Sequence, residues 1–122
     1  VPAAAATGVG LLAYSPLAGG VLTGKYRSGT PADSRGAGRL SAAVEHYLDE
    51  RGRAVVEAVV RAADGLDWTP MQVALVWLRD RPQVTAPIVG TRTAVQLKAA
   101  LTTEELTLPD ALVAALDDVS GE

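Results

Sequence analysis

The chain's 122 residues are 48% hydrophobic and 20% charged, enough to bury roughly two thirds of the unfolded surface, which excludes a disordered tail. A formal charge of -3 gives no general attraction to a phosphate backbone, so nucleic acid is not expected as a partner. With no cysteine and a single histidine, His46, disulfides, thiolate catalysis and Cys-ligated metals are excluded, no metal ligand set stands out, and redox chemistry would require a cofactor.

Val1 to Thr7 lack the basic start and long apolar centre of a signal peptide. The only methionine is Met71, so the chain reads as a piece of something longer. Val9 to Tyr14 form an apolar run bounded by Gly8 and by Ser15-Pro16, as expected of a strand buried on both faces. This longest apolar stretch falls far short of the roughly 20 residues of a membrane helix, so a soluble, cytoplasmic chain is expected. Leu17 to Lys25 are glycine-rich, and Arg27 to Arg39 collect Ser28, Gly29, Pro31, Asp33, Ser34, Gly36 and Gly38. That breaker density marks a loop, and at about thirteen residues it is long enough to suggest function.

From Ser41 the spacing of Val44, Leu48, Val55, Val59 and their neighbours predicts a helix, offset near Gly52 and ended by Asp64-Gly65. Thr69-Pro70 reads as an N-cap with proline at the first helical position, opening a helix through Trp77 and Leu78 to Pro82. Val84 to Val89 form a second short strand, broken by Gly90. Thr93-Ala94-Val95-Gln96 has the form of a capping box and starts a helix to about Leu101. A last helix follows Pro109-Asp110 and buries Leu112, Val113 and Leu116. Strands separated by helical crossovers imply parallel α/β units with ligands beyond the carboxyl ends of the strands, and two strands alone would leave unpaired edges.

Gly19-Gly20-Val21-Leu22-Thr23-Gly24-Lys25 satisfies the G-x-x-x-x-G-K part of a phosphate-binding loop. It departs at Tyr26, which stands where Ser or Thr should ligate magnesium, and a loop follows where the pattern needs a helix. Gly90-Thr91-Arg92-Thr93 fits an anion site better, with free amides at a helix start and a planar cation, but capping boxes are common and local sequence alone favours an ordinary capped helix with a surface arginine. Tyr14, at a strand end, suits stacking on a planar ring or a place at the rim of the core. His46, Asp117-Asp118 and Glu104-Glu105 read as solvated side chains, and Trp68 and Trp77 as core.

Three blocks carry a resemblance: Tyr14-Ser15-Pro16-Leu17-Ala18-Gly19-Gly20-Val21-Leu22-Thr23-Gly24-Lys25-Tyr26, then Pro70 to Leu78, then Pro87-Ile88-Val89-Gly90-Thr91-Arg92-Thr93-Ala94-Val95-Gln96-Leu97. In this order they resemble the aldo-keto reductase superfamily, in the branch of bacterial general-stress reductases and potassium-channel beta subunits. The resemblance implies that residues 1–122 are a single partial domain, the C-terminal portion of a (β/α)8 TIM-type barrel of about 250 residues, holding its last two strands and following helices.

It further implies NADPH as cofactor and a small aldehyde or ketone as substrate of the complete protein. Tyr14 would stack on the nicotinamide, and Ser15, Pro16, Leu17, Ala18 and Gly19 would follow the pyrophosphate. Lys25 and Arg35 would clasp the cofactor from a loop at about residues 26–40, while Gly90 and Arg92 would hold the 2′-phosphate with Gln96 nearby. Ala99-Ala100 replace a Glu-Asn pair common in the family at the adenine end. The family's catalytic Asp, Tyr, Lys and His come from earlier strands and none of their motifs is present. No catalytic residue is therefore assigned, the chain alone is expected to be inactive, and its bare edges are expected to favour self-association. Alternatives are a non-catalytic nucleotide-binding or regulatory module, or a structural remnant.

Overall fold

The structure, a computed structural model, describes residues 2–121. It begins with a short helix, α1 (Pro2–Thr7), built on a run of alanines, the strongest helix formers, and not among the expected elements. Strand β1 (Leu11–Tyr14) follows, two residues shorter at its start than the apolar run suggested. Just before it, a Cβ on Gly10 would lie 2.1 Å from Thr85 Oγ1, so the two segments approach closely there. After 3-10 turns at Ala18–Thr23 and Arg35–Ala37 come α2 (Ser41–His46), α3 (Glu50–Leu66) and α4 (Pro70–Arg79). Strand β2 (Val84–Ile88), α5 (Ala94–Leu101), a 3-10 turn at Thr102–Glu105 and α6 (Asp110–Ser120) complete the order.

The expected single helix from Ser41 is two helices, and the break is at Tyr47 to Asp49 rather than at Gly52. Asp49 caps α3 by accepting the Gly52 N–H at 2.7 Å. Gly52 lies inside that first turn, where a Cβ would stand 2.0 Å from the Tyr47 carbonyl oxygen. Asp64-Gly65 does not end α3 either. The helix continues to Leu66 and stops where Asp67 turns left-handed at φ 57°. Thr69 caps α4 as expected, and Gln72 completes a reciprocal capping box by accepting the Thr69 N–H at 2.8 Å.

The two strands run parallel, pairing Leu12 with Ala86 and Tyr14 with Ile88, with an irregularity after Leu11. They form a two-stranded sheet, and Pro87 is tolerated in β2 because one edge of that strand bonds to nothing among the described residues. The expectation of burial on both faces is not met: Leu12 is 63% exposed and Tyr14 86%, alternating with half-covered Leu11 and Ala13. One face is covered and the other is bare, because no described element lies over it.

The core sits beside the sheet, among the helices. Val59, Ala62 and Ala63 of α3 meet Val73, Ala74 and Val76 of α4 together with Leu108 and Leu116. A second cluster joins Val56 and Val60, on the neighbouring stripe of α3, to Val21, Tyr26 and Val44. Thus α3 packs on the helical layer with one stripe and on the loop after β1 with another. Each fully buried aliphatic side chain contributes about 1.5–3 kcal/mol. Among the described residues no helix is long and apolar enough to cross a membrane.

Asp117 is not the solvated carboxylate its sequence context suggested. It is half-buried on α6, where Oδ1 accepts the Trp77 Nε1–H at 2.7 Å and an Arg81 Nη1–H at 2.9 Å. The Arg81 guanidinium in turn lies 4.2 Å above the Trp77 ring. Trp68 and Trp77 are only partly buried, packed against the rim of the helical core.

Candidate functional site

Parallel pairing of Tyr14 with Ile88 brings both strands to an end at the same edge of the sheet. The segments expected to bind a ligand leave from that edge, as parallel α/β topology dictates. Tyr14 ends β1 with its ring exposed, next to the half-exposed Ile88.

Beyond Tyr14 the backbone turns sharply. Ser15 (φ 54°) and Ala18 (φ 49°) are both left-handed, a conformation rare for residues with a Cβ that costs of order 1–3 kcal/mol each. Gly19 and Gly20 continue it at φ 68° and 95°. The turn is closed by the Ser15 carbonyl accepting the Ala18 N–H and the Leu17 carbonyl accepting the Gly20 N–H, both at 2.9 Å. The Ala18 and Gly20 N–H groups are thus spent within the turn. Pro16 lies beneath it over an apolar cavity of about 90 Å³ lined also by Leu22, Trp77 and Leu116.

The G-x-x-x-x-G-K segment forms 3-10 turns rather than the helix start a P-loop needs. Lys25, at its end, folds back so that a Cβ on Gly20 would lie 2.8 Å from Nζ. The same Nζ stands 5.2 Å from the Tyr26 ring centroid. Tyr26 therefore has a lysine beside it, although no motif had placed one there. Burial pushes its phenol up, but the Ser34 hydroxyl, the Gly36 N–H and the Lys25 ammonium outweigh that, leaving its pKa below the ordinary tyrosine value.

The long loop is held at several points. Tyr26 is 7% exposed and its oxygen accepts the Gly36 N–H at 3.1 Å. Arg27 forms a two-pronged ion pair with Glu57 of α3, at 2.7 and 2.9 Å. The far end of the loop meets the segment after β2. Arg35 Nη2 lies 3.5 Å from where a Cβ on Gly90 would stand, and both terminal nitrogens of Arg92 point to the Asp33 carbonyl at 3.4 Å. Bonds of that length are weak and leave the guanidinium donors available to a better acceptor.

At α5 the capping box differs from expectation. Thr93 Oγ1 accepts the Gln96 N–H at 3.2 Å, but Gln96 Oε1 reaches past Thr93 to accept the Arg92 N–H at 2.8 Å. The Arg92 amide is therefore not among the free donors expected at this helix start. What Arg92 offers an anion is its exposed side chain. The structure thus brings Arg35, Gly90, Arg92 and Gln96 together, with Lys25 lying over the turn after β1. Sequence reasoning missed Tyr26, Asp33 and Gly36 as the residues that position this group. A lone aromatic in a glycine- and proline-rich stretch was the one available signal.

A model of the aldo/keto reductase family matches residues 1–120. The chain belongs to the aldo/keto reductase family. It is 35% identical to an uncharacterized oxidoreductase, YrpG, of Bacillus subtilis, over 98% of this chain and 34% of that protein. It is 38% identical to a probable voltage-gated potassium channel subunit beta of Arabidopsis thaliana, over 75% of this chain and 28% of that protein. Against protein tas of Escherichia coli the identity is 38%, over 92% of this chain and 32% of that protein. The chain therefore spans about a third of the length of these relatives. The aldo/keto reductase fold is a (β/α)8 barrel, and the two parallel strands here are an open, incomplete part of such a sheet.

Proposed function

We propose that this chain is the C-terminal part of the barrel of an NADPH-dependent oxidoreductase that reduces aldehydes or ketones to alcohols, and that it supplies part of the cofactor site. Residues 1–122 act as one partial domain, with residues 26–40 as the cofactor clasp. The observation that carries the reading is the common strand edge, from which the left-handed turn after Tyr14 and the Arg92 segment both emerge, with Asp33 to Arg35 reaching the latter. The residues present fit the group: an exposed aromatic face, a tight glycine-containing turn and three exposed cations, Lys25, Arg35 and Arg92, in a chain of net charge -3.

When bound, the reduced nicotinamide supplies a hydride for the carbonyl carbon. Tyr14 presents the flat surface on which a planar ring stacks. Ser15 to Gly19 present backbone to the pyrophosphate at close range, and Lys25 covers the turn. Arg35 and Arg92 supply planar, permanently charged donors for phosphate, with Gly90 leaving room beside them and Gln96 fixing the Arg92 backbone. The proton required by the product oxygen does not come from here. Tyr26 is buried with its oxygen bonded to Gly36, and His46 and Tyr47 lie exposed on and just after α2. The chain alone is accordingly inactive as a reductase, since a positioned acid is worth about 100- to 10,000-fold in rate.

The test is cofactor discrimination. In a complete barrel carrying this segment, Arg92→Ala weakens NADPH binding by about 1.5–3 kcal/mol, on the order of tenfold to a hundredfold, and NADH binding far less. Only NADPH has the extra phosphate. Equal losses for the two nucleotides, read by fluorescence titration, would refute the assignment.

A further inference from the structure

Arg35 sits between Ser34 and Gly36 on an exposed 3-10 turn that buries none of its own residues. A side chain on such a turn is placed by whatever holds the turn. Ser34 closes it locally, its hydroxyl donating to the Pro31 carbonyl at 2.6 Å. Besides its packing on α2, the turn is linked to the body of the protein by Tyr26, ten residues earlier, whose ring belongs to the buried cluster with Val21, Val44, Val56 and Val60. Its oxygen accepts the N–H of Gly36, the residue next to Arg35. Contact is close enough to dictate the residue type: a Cβ on Gly36 would lie 2.8 Å from Tyr26 Cε1 and 3.2 Å from a Val44 methyl.

We infer that Tyr26 is a positioning residue for the nucleotide site, its buried phenol holding Gly36 so that Arg35 stands beside Gly90 at the end of β2. The inference rests on the cofactor reading above and adds a residue that does not touch the cofactor. The lowered phenol pKa agrees with an oxygen that accepts the Gly36 N–H beside the Lys25 ammonium. Two anchors bracket the loop: Arg27 fastens its start to α3 at Glu57, and Tyr26 fastens its far turn to the core. The ring is held by aliphatic packing and its edge touches Gly36, so the phenol oxygen adds one hydrogen bond to a turn already in contact. Removing that oxygen therefore loosens the turn while leaving the core filled.

The test uses Tyr26→Phe in a complete barrel carrying this segment, with two readouts. In the absence of nucleotide, the Gly36 amide exchanges with solvent about three- to tenfold faster, the worth of one net hydrogen bond, while amides of α3 and α4 are unchanged. In NADPH titrations Tyr26→Phe raises Kd by a similar factor, and this loss disappears in an Arg35→Ala background, because a residue that acts through Arg35 has nothing left to position. Gly36→Ala, which displaces the same turn from the other side, weakens binding in the same direction. Unchanged Gly36 exchange overturns the inference, and so does an equal loss with and without Arg35. An Arg35→Ala chain that binds NADPH as tightly as the parent overturns the nucleotide reading itself, and Gly36 exchange that is still accelerated in Tyr26→Phe tells that failure from failure of the tether.

Discussion

Between α3, α4 and α6 side chains are placed by burial: Val73, Val76 and Ala63 are wholly enclosed, and Arg79 binds the carbonyls of Thr103 and Leu106 to fix the turn before α6. At the strand ends the side chains that matter are in the open. Tyr14, Lys25, Arg35 and Arg92 are exposed, and their positions come from left-handed turns, one phenol, one ion pair and two long hydrogen bonds. On the proposed reading these groups meet a ligand and so are not buried, and their placement is delegated to a few tethers that run back to packed residues. The helical layer supplies the stability, and the loops spend part of it on strained backbone at Ser15 and Ala18.

If the two regions are separable in this way, damage to one should leave the other's property intact. Leu116→Ala, in the helical core, should give the largest effect, lowering unfolding free energy by about 2–5 kcal/mol in urea titrations. Because Leu116 also lines the cavity beneath Pro16, the value tells whether the layer can collapse there. Nucleotide affinity of the molecules that remain folded should not change. A loss of affinity in step with stability would break the comparison. A smaller effect is expected for Asp117→Ala, about 1–3 kcal/mol, because it leaves the Trp77 N–H and the Arg81 guanidinium without their shared acceptor in a half-buried place. Tryptophan emission should report it, since Trp77 then meets a changed environment.

The same division decides what was legible in the sequence. Periodicity and caps located α4, α5, α6 and both strands, because burial writes itself into the spacing of apolar residues and Thr69 and Thr93 cap by local rules. Element limits were less legible: the α2–α3 break is set where Asp49 caps α3, with Gly52 inside the first turn rather than at the break. Burial of β1 was misjudged because an apolar run says what a strand could cover, not whether anything described lies over it. Asp117 was misread because its partners, Trp77 and Arg81, come from α4 and the turn after it. For the candidate site, the segments could be read from resemblance and strand ends, but the tether from Tyr26 to Gly36 and the meeting of Arg92 with Asp33 join residues from different segments.

The smallest effect sharpens the comparison from the loop's side. The Arg27 hydrogen bonds hold the Glu57 carboxyl below the ordinary glutamate value of about 4.5, against the opposing effect of burial and with help from the charges of Arg27 and Arg61. A carboxylate whose folded pKa is depressed contributes its stabilisation in full above the unfolded value, and loses it as pH falls through the folded one. The loop's first anchor should therefore be complete at neutral pH and weaken progressively below about pH 4.5. Both partners are well exposed, so global stability should barely register the change. The readout is local: amide exchange of residues 27–30, corrected for the intrinsic effect of pH, should rise on acidification in the parent chain. Glu57→Gln should show the raised exchange already at neutral pH and little further acid dependence. If the parent's exchange is flat between pH 6 and about pH 3, the ion pair does not hold the loop, and the placement of Arg35 depends on the tethers at its far end, Tyr26 with Gly36 and Arg92 with Asp33.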